Sequence, residues 1–380
     1  MPIRVGMVSL GCSKNLVDSE RMLAKLRAHG YQLVTEPGEA DVAIVNTCGF
    51  IQSAKEEAIE TILELGALKK DGTLKKIILT GCLTERYQEE AAELFTEADA
   101  VIGIGNNRDI VDILDHVLAG ERVVQFGKKS DAELKGDRII TTLPFFAYLK
   151  IAEGCSNNCT YCAIPAIRGP YRSVPMEDVL DEARWLAEHH VTELIVIAQD
   201  TTRYGADLYG KSRLPELLRE LCHIDGIRWV RVLYCYPERI TEELLDVMAE
   251  EPHMVPYLDL PIQHCDEEIL RRMHRPGNEE TLRNLITHIR ERVPEITLRT
   301  TLITGFPGET KEQFNRLGDF VQDMQFDHLA ASPTPRRRAP RLPNLKIRWT
   351  KMSVPTVPIF SWSSRRKSVL PRMRQSWASE

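Results

Sequence analysis

Short apolar runs alternate with helical patterns along most of this 380-residue chain, and this alternation constrains its fold more than any other feature. Within residues 1–125, runs rich in β-branched residues occur at 3–10, 41–45, 76–79 and 100–104, and a helical pattern follows each of them. Strands that alternate with helices pair in parallel and carry helices on both faces. The sequence therefore predicts an α/β domain with an open parallel sheet at residues 1–125.

A polar stretch at residues 126–142 is predicted to be a linker, and a second α/β series occupies residues 143–329. Its candidate strands are 147–151, 193–198, 229–234, 257–261 and 297–304, with a sixth that begins at 327. Repeated β/α units of this kind predict a partial (β/α)6 barrel of the TIM type. The functional site of such a barrel lies at the C-terminal ends of its strands.

The cysteine content and the apolar runs restrict the class of protein. No apolar run reaches the roughly 20 residues that a membrane span needs, and the first residues do not resemble a signal peptide. We therefore expect a cytoplasmic protein. The nine cysteines are an odd number in a long chain, which argues against a disulfide framework and favours metal or cluster ligation by any grouped set.

Three cysteines form one group with the spacing C-x3-C-x2-C: Cys155, Cys159 and Cys162. Three thiolates on one loop can bind three irons of a [4Fe–4S] cluster and leave the fourth iron free for a small chelating ligand. A structural zinc site is the alternative, although zinc sites usually combine two C-x2-C arms and need a fourth ligand. The loop follows the first predicted barrel strand, where the site of such a barrel is expected.

A second set, Cys12, Cys48 and Cys82, is scattered in sequence, but each of these cysteines follows a predicted strand of the first sheet. The C-terminal ends of strands in an open parallel sheet meet at one crevice. Three unrelated buried thiols are the alternative, since free cysteine is commonly buried. The matching placements favour a second three-cysteine cluster site.

Two such sets, in this order, resemble the radical S-adenosylmethionine (SAM) methylthiotransferases over residues 1–329. The motifs that carry the resemblance are SLGCSKN at 9–15, DSE at 18–20, NTC at 46–48, TGC at 80–82, the cysteine loop at 155–162, and IP, RG and RS at 164–165, 168–169 and 172–173. Two further motifs, AQDTTRYG at 198–205 and DLPIQH at 259–264, resemble the branch that acts on a ribosomal protein.

The resemblance implies a radical SAM barrel, two [4Fe–4S] clusters and S-adenosyl-L-methionine as cofactors. The barrel cluster generates a 5′-deoxyadenosyl radical, and the first-domain cluster holds the sulfur to be inserted. The implied substrate is the β-carbon of an aspartate in ribosomal protein S-twelve, free or in the small ribosomal subunit. A sister branch modifies an adenosine of transfer RNA. The resemblance also implies a reductant such as flavodoxin or ferredoxin, and from the sequence we expect no membrane partner and a monomer.

Other residues are candidates for contacts with SAM: Tyr161 near its adenine, Gln199 at the end of the second barrel strand, and Gly305 and Gly308 in the loop after the fifth. A tight β-to-α turn is the alternative role of the two glycines. Arg299 is expected to meet either a carboxylate ligand or a barrel acid. Structural roles are expected for Cys222, Cys235, Cys265 and His264.

Charge is distributed unevenly along the chain. Residues 330–380 hold twelve Lys and Arg and one acidic residue, whereas residues 1–329 hold 37 basic and 54 acidic residues. An acidic body favours a basic partner, in agreement with a ribosomal protein substrate.

Residues 330–380 show no clear periodicity and are predicted to be a basic, disordered and out-of-frame tail. Codons allowed for 332–340, read one base out of phase, can encode A-Y-S-Q-E-E-G-T, and the same shift over 346–368 gives an acidic, helix-like string. A single-base deletion near Leu329 explains both strings. The C-terminal β module usual in the resembling family is then absent. The rival interpretations are an inert truncated product and an iron–sulfur electron-transfer or storage protein.

Overall fold

Two parallel six-stranded sheets follow one another along the chain and belong to the same compact unit. The computed structural model describes residues 2–333. Residues 334–380, which include most of the predicted basic tail, lie outside the described residues. None of the helices within residues 2–333 is long and apolar enough to cross a bilayer.

The first sheet has the strand order β2-β1-β3-β4-β5-β6. Its strands are β1 (Arg4–Ser9), β2 (Gln32–Val34), β3 (Val42–Thr47), β4 (Lys76–Gly81), β5 (Ala100–Ile102) and β6 (Val123–Gln125), and its helices are α1 (Ser13–Ala28), α2 (Gln52–Lys70), α3 (Cys82–Leu94) and α4 (Ile110–Leu118). Strand β3 is buried along its whole length because apolar clusters pack on both faces of the sheet. The chain reverses direction across the sheet between β1 and β3, and ligand crevices of such sheets open at this point.

The second sheet has the order β7-β10-β11-β12-β13-β14, and every neighbouring pair is parallel. Its strands are β7 (Phe146–Lys150), β10 (Glu193–Ile197), β11 (Trp229–Val232), β12 (Met254–Asp259), β13 (Thr297–Thr304) and β14 (His328–Pro333). A small antiparallel pair, β8 (Ala152–Glu153) and β9 (Arg172–Ser173), follows β7. The helices of this half are α5 (Ile164–Arg168), α6 (Met176–Glu188), α7 (Ala206–Tyr209), α8 (Leu214–Cys222), α9 (Glu242–Glu250), α10 (Glu267–Arg272), α11 (Glu279–Arg292) and α12 (Lys311–Met324).

The predicted fold class is confirmed, and three local differences have physical causes. Strands β2 and β6 were not predicted because each has only three residues at an edge of the sheet. Strand β12 begins at Met254, whereas it was predicted to begin at residue 257. The prediction began too late because Pro256 interrupts the strand pattern of the sequence. Strand β11 ends before Tyr234, which has a φ of 62° and turns the chain.

Strand β14 extends through Pro333 and pairs with β13 from Arg299 to Thr304. The predicted barrel ended at residue 329, so the strand continues four residues into the predicted tail. The side chain of Cys222, at the end of α8, belongs to the core of the second half, as its apolar helical face predicted.

Candidate active site between the two sheets

Cys12, Cys48 and Cys82 lie after β1, β3 and β4, at the switch point of the first sheet. A Cβ atom added to Gly11 would lie 2.5 Å from the Cβ and 2.7 Å from the Sγ of Cys48, so the loops that carry Cys12 and Cys48 are in close contact. A Cβ on Gly49 would lie 2.8 Å from the carbonyl oxygen of Cys82. The structure thus brings the three predicted residues to one crevice.

The side chain of Asn15 links the loops after β1 and β3 through hydrogen bonds. Its Nδ2 donates hydrogen bonds of 3.0 Å to the carbonyl oxygens of Leu10 and Thr47, and its Oδ1 lies 3.5 Å from the Sγ of Cys82. Burial raises the pKa of the Cys82 thiol to about 12, while the nearby Arg168 guanidinium acts in the opposite direction. A buried thiol next to a guanidinium is suited to deprotonation once a metal centre binds it.

Exchanging Gly11 for alanine is expected to destabilise the fold more than exchanging Gly30 for alanine. The two glycines have similar backbone angles, with a φ of 90° at Gly11 and 95° at Gly30. The left-handed conformation costs either alanine about 1–2 kcal/mol. Only Gly11→Ala also drives a Cβ into Cys48, because nothing lies within 4 Å of a Cβ at Gly30. Overpacking adds about 1–3 kcal/mol. Urea unfolding of both variants measures the difference, and equal losses would contradict the close contact at Gly11.

The second set lies on the loop after β8, close to the C-terminal end of β7, and consists of Cys155, Cys159 and Cys162. The backbone N–H of Asn157 points to the Sγ of Cys155 at 3.4 Å, and the N–H of Ile164 points to the Sγ of Cys162 at the same distance. Cys155 and Cys159 are buried. Burial raises the pKa of the Cys155 thiol, and the N–H of Asn157 acts in the opposite direction, since an N–H group directed at sulfur stabilises a thiolate.

A partly buried polar clamp of three side chains holds the same loop. Asn157 donates a 2.8 Å hydrogen bond to Asp200, and Arg239 donates to both Asp200 at 2.9 Å and Asn157 at 3.0 Å. The backbone N–H of Thr160 donates to the carbonyl of Met273. Asn157 and Arg239 were not identified from the sequence, because their roles depend on a contact between distant segments.

Neither cysteine set is arranged around a single point. Among residues 2–333, no three His, Cys, Asp or Glu side chains converge as the ligands of one metal ion would. In a cluster each thiolate binds its own iron, so the sulfur atoms stand around the cluster at some distance from one another.

Arg168, at the end of α5, contacts the first cysteine set and the segment that leads into the second, and it is only 2% exposed. Its Nη1 lies 2.8 Å from carboxylate oxygens of both Asp18 and Glu153, and its Nη2 lies 3.5 Å from the Sγ of Cys82. Lys150 pairs with the same two carboxylates. The sequence identified Arg168 only as part of a motif; its position immediately after the cysteine loop was the available signal.

The other predicted site residues divide into two groups. Tyr161 packs with Phe306 in a small apolar cluster, so it lies beside the loop that carries Gly305 and Gly308. Both glycines have positive φ, and a Cβ on Gly308 would lie 2.6 Å from the Arg272 guanidinium. Gln199 lies elsewhere, where its Nε2 donates a 2.8 Å hydrogen bond to Glu153.

The remaining residues singled out from the sequence have structural contacts. Arg299 pairs with Asp259 at 2.5 Å, so it meets a barrel acid. The Nδ1 of His264 accepts a 2.9 Å hydrogen bond from the N–H of Asp266, and its Nε2 lies 3.6 Å from Glu309. Cys235 and Cys265 are fully buried.

Two sequence families match the chain. The profile of the uncharacterized protein family UPF0004 matches residues 4–103, and that of the Radical SAM superfamily matches residues 149–321. The first match covers β1 to β5, and the second runs from the end of β7 into α12. Each cysteine set falls inside one of them.

Curated relatives match over most of the chain. A ribosomal protein uS12 methylthiotransferase RimO of Lachnoclostridium phytofermentans is 53% identical over 329 residues, which cover 86% of this chain and 74% of the relative. The protein of the same name from Clostridioides difficile is 50% identical over 350 residues, covering 90% and 78%.

Solved structures share the fold at low sequence identity. A radical S-adenosylmethionine methyltransferase, TsrM, from Kitasatospora setae has a TM-score of 0.64 at 14% identity and covers 87% of this chain and 72% of its own. The cobalamin-dependent S-adenosylmethionine radical enzyme OxsB has a TM-score of 0.57 at 13% identity and covers 84% and 52%.

Proposed function

Because the chain belongs to the ribosomal protein uS12 methylthiotransferase family, we propose that it attaches a methylthio group to the β-carbon of an aspartate in uS12. The chain is a radical SAM enzyme, with S-adenosylmethionine and [4Fe–4S] clusters as its cofactors. We assign one cluster to Cys155, Cys159 and Cys162, and a second to Cys12, Cys48 and Cys82.

The residues present fit two clusters. Within residues 2–333 none of these six cysteines forms a disulfide, and backbone N–H groups point to two of the sulfur atoms of the barrel loop. Three thiolates leave one iron of each cluster without a protein ligand. When bound, the barrel cluster supplies the electron that cleaves S-adenosylmethionine, and the first-sheet cluster holds the sulfur that is inserted.

One observation carries the proposal: a buried guanidinium contacts both a cysteine of the first set and a carboxylate two residues before the second set. Arg168 contacts Cys82 on one side and, on the other, Glu153, which precedes Gly154 and Cys155. Methylthio transfer needs a radical generator and a sulfur donor that face the same substrate atom, since a short-lived substrate radical must meet sulfur before it meets solvent. The contacts of Arg168 support this juxtaposition.

The chain's own residues bind and orient the reactants and exclude water from the site. The clamp formed by Asn157, Asp200 and Arg239 fixes the cysteine loop, as a site built for positioning requires. Tyr161 and Phe306 form an apolar wall next to Gly305 and Gly308, where we place the adenosyl group of S-adenosylmethionine. Gln199 orients Glu153, and its buried Oε1 has no hydrogen-bond partner within residues 2–333; we assign this atom to a bound ligand.

We further propose that the enzyme acts as a cytoplasmic monomer on uS12, free or in the small ribosomal subunit, with flavodoxin or ferredoxin as reductant. The proposal is tested by anaerobic reconstitution with iron and sulfide, followed by reaction with S-adenosylmethionine, a reductant and uS12. We expect 5′-deoxyadenosine and a gain of one methylthio mass on an aspartate of uS12. If only transfer RNA gains the methylthio mass, the proposed substrate is wrong. If no 5′-deoxyadenosine is formed, the proposed radical chemistry is wrong.

A further inference from the structure

Lys14 is a buried lysine, and within the described part of the chain no carboxylate forms an ion pair with its ammonium. It follows Cys12 by two residues in α1, is 7% exposed, and places its Nζ 3.1 Å from the centroid of the Tyr234 ring. Tyr234 follows β11 of the second sheet, so this side chain crosses from one half of the site to the other. Among residues 2–333, the Lys14 ammonium makes neither an ion pair nor a hydrogen bond.

The carboxylates nearest to Lys14 already have other cations. Glu153 pairs with Lys150 at 3.0 Å and with Arg168 at 2.8 Å. Asp259 pairs with Arg299 at 2.5 Å. Lys14 therefore has no carboxylate of its own within residues 2–333, and the thiol of Cys12 is the remaining acidic group beside it.

A buried cation with only an aromatic ring beneath it is costly for the fold. The ring contact recovers part of that cost, on the order of 0.5–2 kcal/mol. An ammonium carries three donors, and the ring occupies only one side of it. Its other donors are available to an anionic ligand that enters between the two sheets.

We propose that Lys14 binds the side-chain carboxylate of the substrate aspartate and thereby selects aspartate over uncharged residues. This inference rests on the proposed function. In aspartate the β-carbon is bonded directly to the carboxylate carbon. An ammonium that binds this carboxylate therefore also positions the reacting carbon, which is one bond from the carboxylate carbon. That carbon would then lie beside Cys12, at the C-terminal end of the barrel strands. Lys14 is thus a substrate-binding residue that fixes both specificity and position.

The test compares uS12 with a uS12 variant in which the target aspartate is asparagine. Binding of both to anaerobically reconstituted enzyme is measured by fluorescence anisotropy. The native enzyme should bind the aspartate form about tenfold or more tightly, the effect of a charge-assisted hydrogen bond. Lys14→Met should lose that preference and Lys14→Arg should keep it. Lys25→Met, on the outer part of the same helix, is the matched control and should behave as the native enzyme does.

The outcomes separate this inference from the proposed function. If the native enzyme transfers a methylthio group but binds both forms of uS12 equally, the role of Lys14 is refuted while the function stands. The same holds if Lys14→Met keeps the native preference. If Lys14→Met changes the electron paramagnetic resonance signal of the first-sheet cluster but keeps the preference for the aspartate form of uS12, Lys14 acts on the cluster. That result also refutes the inference. If native enzyme yields no product, the proposed function itself fails.

Discussion

Replacing Cys12, Cys48 and Cys82 together by alanine is expected to reduce methylthio transfer to background while 5′-deoxyadenosine is still formed. The same change at Cys155, Cys159 and Cys162 is expected to abolish both products. The asymmetry follows from the proposed division of labour, because S-adenosylmethionine can be cleaved without a sulfur donor, whereas sulfur cannot be inserted without a radical. Quantification of 5′-deoxyadenosine and of modified uS12 in the same reaction measures the two steps.

Iron and sulfide analysis provides the second readout for these variants. Each triple variant should retain about half of the iron of the native enzyme, since each set binds one of two equal clusters. Cys222→Ala is the control, because Cys222 is buried in α8 away from both sets. It should keep the full iron content and both products. Loss of 5′-deoxyadenosine from the first triple variant, with its barrel cluster intact, would contradict independent roles.

Arg138→Met is expected to destabilise the protein by about 3–5 kcal/mol, the usual cost of leaving buried charges unpaired. Arg138 donates two hydrogen bonds to the fully buried Glu20 of α1 and pairs with Glu182 of α6 at 2.5 Å. It also donates a 2.7 Å hydrogen bond to the carbonyl of Tyr148 in β7. One side chain thus satisfies acceptors in both halves of the molecule, and its loss leaves Glu20 without its cation.

The control for Arg138 is Arg184→Met. Arg184 also pairs with a carboxylate, Asp181 at 2.7 Å, but the two side chains are 57% and 73% exposed. An exposed pair contributes about 0–1 kcal/mol, so this variant should unfold at nearly the native urea concentration. Midpoints and slopes of urea unfolding give both free energies. Similar losses in the two variants would show that the environment of Arg138 is not the source of its effect.

The fold and the two cysteine sets could be predicted because they depend on periodic or repeated patterns. Each of Cys12, Cys48 and Cys82 follows a strand, and strand ends of a parallel sheet converge by geometry alone. The edge strands β2 and β6 carry too few residues for any periodicity to show.

Single polar side chains gave no comparable signal. Arg138 lies in a stretch that reads as a linker because its neighbours are polar, yet its guanidinium is buried against Glu20, which is 118 residues away in the chain. Lys14 is visible in a motif, but nothing in the sequence indicates that its ammonium lies over Tyr234. Long-range pairing of this kind is fixed by how two sheets pack together, and local sequence does not encode that packing.

The charges shared by the two sheets also limit how this architecture can be recombined. Asp18 and Glu20 lie on α1, which packs on the first sheet, whereas Arg138, Lys150 and Arg168 come from later in the chain. A chimera that joins the first sheet of this protein to the barrel of a distant relative must transplant both sides of these pairs, or it buries unmatched charges at the junction. The two halves are therefore not interchangeable modules, and they should diverge as a matched pair.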